Sequence, residues 1–75
     1  MHSVPRYSLV IEWSPQDQAY VVSLPEWEEH GVRAHTRGVT RQEAARAGET
    51  LLALLIERQL ARGLPLPEPH VYAHT

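Results

Sequence analysis

The 75-residue chain has no cysteine, which excludes disulfide staples, thiolate zinc sites, cysteine-ligated iron–sulfur clusters and a cysteine nucleophile. It has no lysine either, so its seven positive side chains are all arginine, set against nine acids for a net charge of −2. That balance gives no general reason for nucleic-acid or membrane affinity. No run approaches the roughly 18 apolar residues of a membrane span, and MHSVPRYSLVIEW lacks the plan of a secretory signal. A cytoplasmic protein with no membrane partner is expected. The four glycines, Gly31, Gly38, Gly48 and Gly63, are isolated, so there is no glycine-rich phosphate loop. Ser8, Ser14 and Ser23 have no flanking glycines that would form a nucleophile elbow.

A chain this short holds one domain and buries a modest fraction of its surface, a regime in which self-association is a common supplement. A dimer or tetramer is therefore expected. Charge is unevenly placed. Residues 1–30 carry one Arg and five acids, residues 31–63 carry six Arg and three Glu, and residues 64–75 carry a single Glu.

Alternation over Arg6 to Trp13 places Tyr7, Leu9, Ile11 and Trp13 on one strand face and Ser8, Val10 and Glu12 on the other, with Trp13 as a core residue. SPQDQ supplies turn formers, and AYVVSL resumes the alternation to give an antiparallel hairpin. Pro25 ends the second strand, and Glu26 to Gly31 reads as a polar surface connection around one large apolar residue, Trp27. A weak third strand is expected over Val32 to Thr36.

Thr40-Arg-Gln-Glu43 is a capping box, with Val39 placed to staple against Ala44, and it opens a helix from Arg41 to Arg62 that Gly63 and Pro65 stop. Ala44, Ala47, Gly48, Leu51 and Leu55 centre its apolar face. Leu54 lies on one flank, and Ala45, Leu52 and Ile56 lie on the other. Such an arc is wider than one sheet requires, so Leu52, Leu54, Ile56 and, beyond the helix, Tyr72 are candidates for an oligomer interface. Residues 64–75 form a Pro-rich extended tail in which Val71 and Tyr72 have room for a short additional strand. The fold class is α+β, a single domain over 1–75 in the order β-β-β-α with an optional final β.

His2, His30, His35, His70 and His74 lack a framework that would converge on a metal, and Glu28 and Glu29 point apart if extended. No enzyme activity, metal or cofactor is expected; a small metal-dependent enzyme is a remote alternative. The arginines serve mainly structure and ion pairing, and no reader of DNA can be placed, so direct DNA binding is not expected. Glu26, Glu28 and Glu29, with Trp27 as either a lid over the sheet edge or an apolar anchor, form the candidate partner-binding segment.

YSLVIEWSPQDQAYVVSLPEW followed by GVTRQEAARAGETLLALLIERQLARGLPLPEP resembles the N-terminal domain of the HicB-like antitoxin family. Tyr7, Asp17, Tyr20 and Pro25 match the hairpin, Gly38, Thr40, Glu43 and Ala44 match the approach to the helix, and Gly63, Pro65 and Pro67 match its exit. The likeness covers about residues 6–69. It departs from the family pattern at Val39, where an acid is usual, and at Gln18-Ala19, where a turn glycine is usual. The resemblance implies a three-stranded sheet crossed by one helix, association through this domain, and a small basic RNA-cleaving toxin as partner. It does not extend to the family's separate DNA-binding segment. The alternative is a stand-alone structural or regulatory oligomer.

Overall fold

The computed structural model describes residues 6–70. Strands β1 (Val10–Ser14), β2 (Ala19–Ser23) and β3 (His35–Gly38) form one antiparallel sheet in the order β1-β2-β3, with a short helix α1 (Pro25–Glu29) after β2 and a long helix α2 (Arg41–Ala61) after β3. The chain is therefore α+β, and among the described residues no helix is long and apolar enough to cross a membrane.

The second strand lies where the sequence places it, whereas the first and third are shifted toward the C-terminus. Residues 6–9 precede the ladder and serve tertiary contacts, and residues 32–34 leave α1 before pairing begins at His35. The β1–β2 connection is the four residues Pro15 to Gln18. Ser14 Oγ donates to Asp17 (2.9 Å), and Gln18 takes the left-handed conformation (φ 53°) that favours glycine. The register places Ile11 opposite Val22 and Trp13 opposite Tyr20, while Val22 faces Thr36 and Tyr20 faces Gly38. These residues share the face that α2 covers.

Helix α2 starts where its cap predicts. Thr40 Oγ accepts from the Glu43 amide at 3.1 Å, but the Glu43 carboxylate accepts from Val39 N–H (3.2 Å), one residue earlier than the reciprocal bond of a regular capping box. Val39 is 71% exposed, so the expected staple to Ala44 does not form. Both helices end on a glycine in the left-handed region. The Gly31 and Val32 amides donate to Glu28 and Trp27 carbonyls, and the Gly63 and Leu64 amides donate to Leu60 and Gln59 carbonyls, so each end closes in a Schellman motif.

Ala44, Gly48 and Leu55 are buried on the expected face of α2, and a Cβ on Gly48 would lie 2.9 Å from Val22 and 3.3 Å from Leu9. Gly48 is thus a point of close packing. Val22 and Ala44 are buried between sheet and helix, and the main apolar cluster lies past the end of the sheet, where Leu24, Trp27 and Leu55 are buried with Tyr7, Leu9, Val32, Ala34, Leu51, Leu52, Ile56 and Leu66 around them. Trp13 is not part of it: near the turn end of the hairpin it is 49% exposed, edge-on to Tyr20 at 5.1 Å. Residues 64–70 carry no regular structure, and the short strand expected at Val71–Tyr72 lies outside the described residues.

Candidate functional site

The segment expected to be a polar surface loop is instead helix α1, and it turns two of its four candidate residues inward. Pro25 at the first helical position has a fixed φ suited to helix initiation and loses no hydrogen bond there. One turn of helix then separates the 26–29 side chains, so that Glu26 (2% exposed) and Trp27 (fully buried) face the core while Glu28 and Glu29 face solvent. Glu26 and Trp27 are therefore withdrawn from a partner-binding surface. Trp27 is a core residue beside Leu24 and Leu55, with Tyr7 packed on it at a centroid distance of 5.5 Å and an interplanar angle of 59°. Among the described residues, its Nε1 donor has no hydrogen-bond partner.

Glu26 is a hub for parts of the chain distant in sequence. Its Oε1 accepts from Ser8 N–H at 3.0 Å; its Oε2 accepts from Ser8 N–H at 3.1 Å, Ser8 Oγ at 2.9 Å and His70 N–H at 2.9 Å. Nearby, the Tyr7 hydroxyl donates to the Pro67 carbonyl at 2.6 Å, and Gln59 Nε2 donates to the Pro65 carbonyl at 3.0 Å, fixing the Pro-rich segment. Burial alone raises the Glu26 pKa, but the bonds from the His70 amide, from its own amide and from Ser8 outweigh that effect and hold it below the ordinary value. Burial, assisted by the negative charge of Glu26, raises the pKa of the Tyr7 phenol. A buried carboxylate held in its ionised form by donors from Ser8 and His70 fastens distant parts of the chain together.

The two outward acids each meet a histidine. Glu28 Oε1 lies 3.6 Å from His35 Nε2, and Glu29 Oε1 lies 2.9 Å from His70 Nε2. The Glu29 hydrogen bond is the chief cause of a raised His70 pKa; slight desolvation opposes it, and the charges of Glu29 and Glu26 add to it. Glu26, Glu29, His30 and residues 67–70 border an open depression of about 330 Å³. Among the described residues, no group of three or more His, Asp or Glu side chains is placed to hold a metal ion.

The oligomer candidates divide in the same way. Leu52 and Ile56 are half-buried against the core cluster and are largely consumed by it, Leu54 is 51% exposed on the outer side of α2, and Tyr72 lies outside the described residues. Sequence reading missed Tyr7, Ser8 and His70 as a connected set, because their meeting depends on contacts across 18 to 60 residues. The burial of Glu26 had one local signal, Pro25 at a helix start, but a helix of five residues is too short to display an amphipathic period. No protein-family model, curated protein or solved structure matches the chain.

Proposed function

We propose that this chain is a noncatalytic, HicB-like protein-interaction module that self-associates and masks the basic surface of a small RNA-cleaving partner. The observation that carries the reading is the mounting of α1. Glu26 and Trp27 anchor its inner side, so that Glu28 and Glu29 are presented to solvent from a fixed backbone. Preorganised acids suit electrostatic complementarity to a cationic protein, and His35 and His70 flank them at 3.6 and 2.9 Å. The order of motifs from Tyr7 to Pro67 supports the same assignment.

Co-expression with the product of a small adjacent gene tests it. The expected result is a complex that suppresses that product's RNA cleavage and weakens when Glu28 and Glu29 are both replaced by Arg. Absence of both binding and suppression would overturn the masking function. The exposed leucines of α2 favour a second reading, an oligomer with a structural or regulatory role and no toxin partner. Self-association with no captured basic protein would select it.

A further inference from the structure

The outer face of α2 carries a pattern that the monomer does not use. Arg46, Thr50, Ala53 and Glu57 recur at intervals of four, three and four residues, so on a helix they fall within an arc of about 60°. All four are exposed, and with Glu49 and Leu54 they line one shallow depression of about 520 Å³. Reversing the helix about the midpoint between Leu51 and Leu52 exchanges Arg46 with Glu57, Thr50 with Ala53, and Glu49 with Leu54. The stripe is complementary to its own reverse.

From this we infer that a second copy of the chain docks here, with the two α2 helices antiparallel about a twofold axis that passes between Thr50 and Ala53. The inference rests on the self-association proposed above and assigns its surface and geometry. A twofold interface requires that whatever residue i meets in the partner, that residue meets i in return; the exchange of Arg46 with Glu57 satisfies the condition in charge, and that of Thr50 with Ala53 keeps the centre small. Arg46 and Glu57 are about 16 Å apart along one helix and cannot pair with each other there. Among the described residues neither forms an ion pair within its own chain, whereas an antiparallel copy matches each to its opposite twice.

The centre of the stripe is small, which allows the helix axes to approach, and Thr50 is already prepared for burial. Its hydroxyl donates to the Arg46 carbonyl at 3.1 Å, so covering it strands no polar hydrogen. At the ends, Val39 (71% exposed) immediately before α2 and Leu64 (45%) just after it are brought alongside each other between copies, with Leu60 (61%) one turn inward. Together with Leu54, the pairing places four of the six exposed large apolar side chains among the described residues at or beside one contact. Antiparallel macrodipoles add a further favourable term.

The test is sedimentation or light scattering of the full chain across micromolar concentrations, with Arg46→Glu and Glu57→Arg made separately. Each single variant opposes like charges twice and is expected to weaken dimerisation about tenfold or more, while circular dichroism stays native because both positions are exposed helix surface. Mixing the two variants one to one restores an Arg–Glu match at both positions, so the mixture is expected to dimerise as a heterodimer. Ala53→Arg, which blocks the centre, is expected to give a folded monomer. A wild-type dimer that is indifferent to Ala53→Arg and to both charge reversals, or a mixture that stays monomeric, overturns the docking geometry and leaves self-association to another face. A wild-type chain that is monomeric throughout the range overturns both.

Discussion

Replacing Glu26 by Gln keeps the volume of a 2% exposed side chain and removes only its charge and one acceptor oxygen. In the native arrangement Oε2 receives three donors and Oε1 one. The best orientation of the amide gives its carbonyl to the Oε2 position and turns its NH2 toward the Ser8 amide, donor against donor. The remaining bonds lose their charge assistance, about 1 kcal/mol each, and a strained donor pair is added; relief from burying a charge offsets part of this. The expected loss is about 2–4 kcal/mol. A domain of this size has a total stability on the order of 4–11 kcal/mol, so the melting temperature should fall by roughly 10–30 °C. Urea unfolding at fixed protein concentration, followed by the fluorescence of the neighbouring buried Trp27, measures it. The pH dependence supplies an internal check. A carboxyl whose folded pKa lies below its unfolded value of about 4.3 contributes fully above that value and loses its contribution as pH falls through the folded one. The gap between wild type and Glu26→Gln should therefore be widest near neutrality and close in acid. A variant within about 0.5 kcal/mol of wild type at pH 7, or a gap that widens on acidification, would refute the role given to this carboxylate.

Two further outcomes follow from local geometry. A Cβ at Gly38 would meet the Ala44 backbone nitrogen and come within 2.7 Å of the Glu43 carbonyl carbon and 2.8 Å of Ala44 Cα, so Gly38→Ala must push β3 away from the start of α2. A loss of about 1–3 kcal/mol is expected, read as a lower urea midpoint at unchanged slope, and an unchanged midpoint would show that the two elements have slack. The raised pKa of His70 means that its bond to Glu29 holds the tail most firmly below the ordinary histidine value and releases it as pH rises through the folded value. An NMR titration of the His70 ring should give a midpoint above that of a free imidazole, and Glu29→Gln should lower it; a midpoint indifferent to Glu29 contradicts the pairing.

What could be read in advance depended on how local its cause was. Thr40, Glu43 and Gly63 act within a few residues of themselves, and the helix they bound was legible nearly to the residue. The inward face of α2 was legible for the same reason, since one periodic element carries it. The strands are legible in number and order, and β2 in position as well, but β1 and β3 start later than the pattern suggests, because alternation continues through residues 6–9 although pairing does not; ladder ends are decided by partners rather than by pattern. Glu26-Trp27-Glu28-Glu29 was read as solvated from its composition. Its fate was decided instead by donors from Ser8 and His70, which no local rule connects to it. The same reasoning separates Trp13 from Trp27. The tryptophan on the apolar face of a strand is half exposed, and the one among three acids is fully buried, because α1 closes the core while Trp13 sits near the hairpin turn.

The Glu26 carboxylate also sets the topology of the backbone as a whole. Ser8 N and His70 N lie 3.1 and 2.9 Å from the same oxygen, so the two amides are at most about 6 Å apart although 61 residues lie between them. Over its described length the chain is thus closer to a ring fastened by one side chain than to a line with two free ends. The first and last strands of contact are a single mechanical joint: trimming the chain past Tyr7 deprives the Pro67 segment of its clasp, and trimming it before Pro67 deprives Tyr7 of its acceptor.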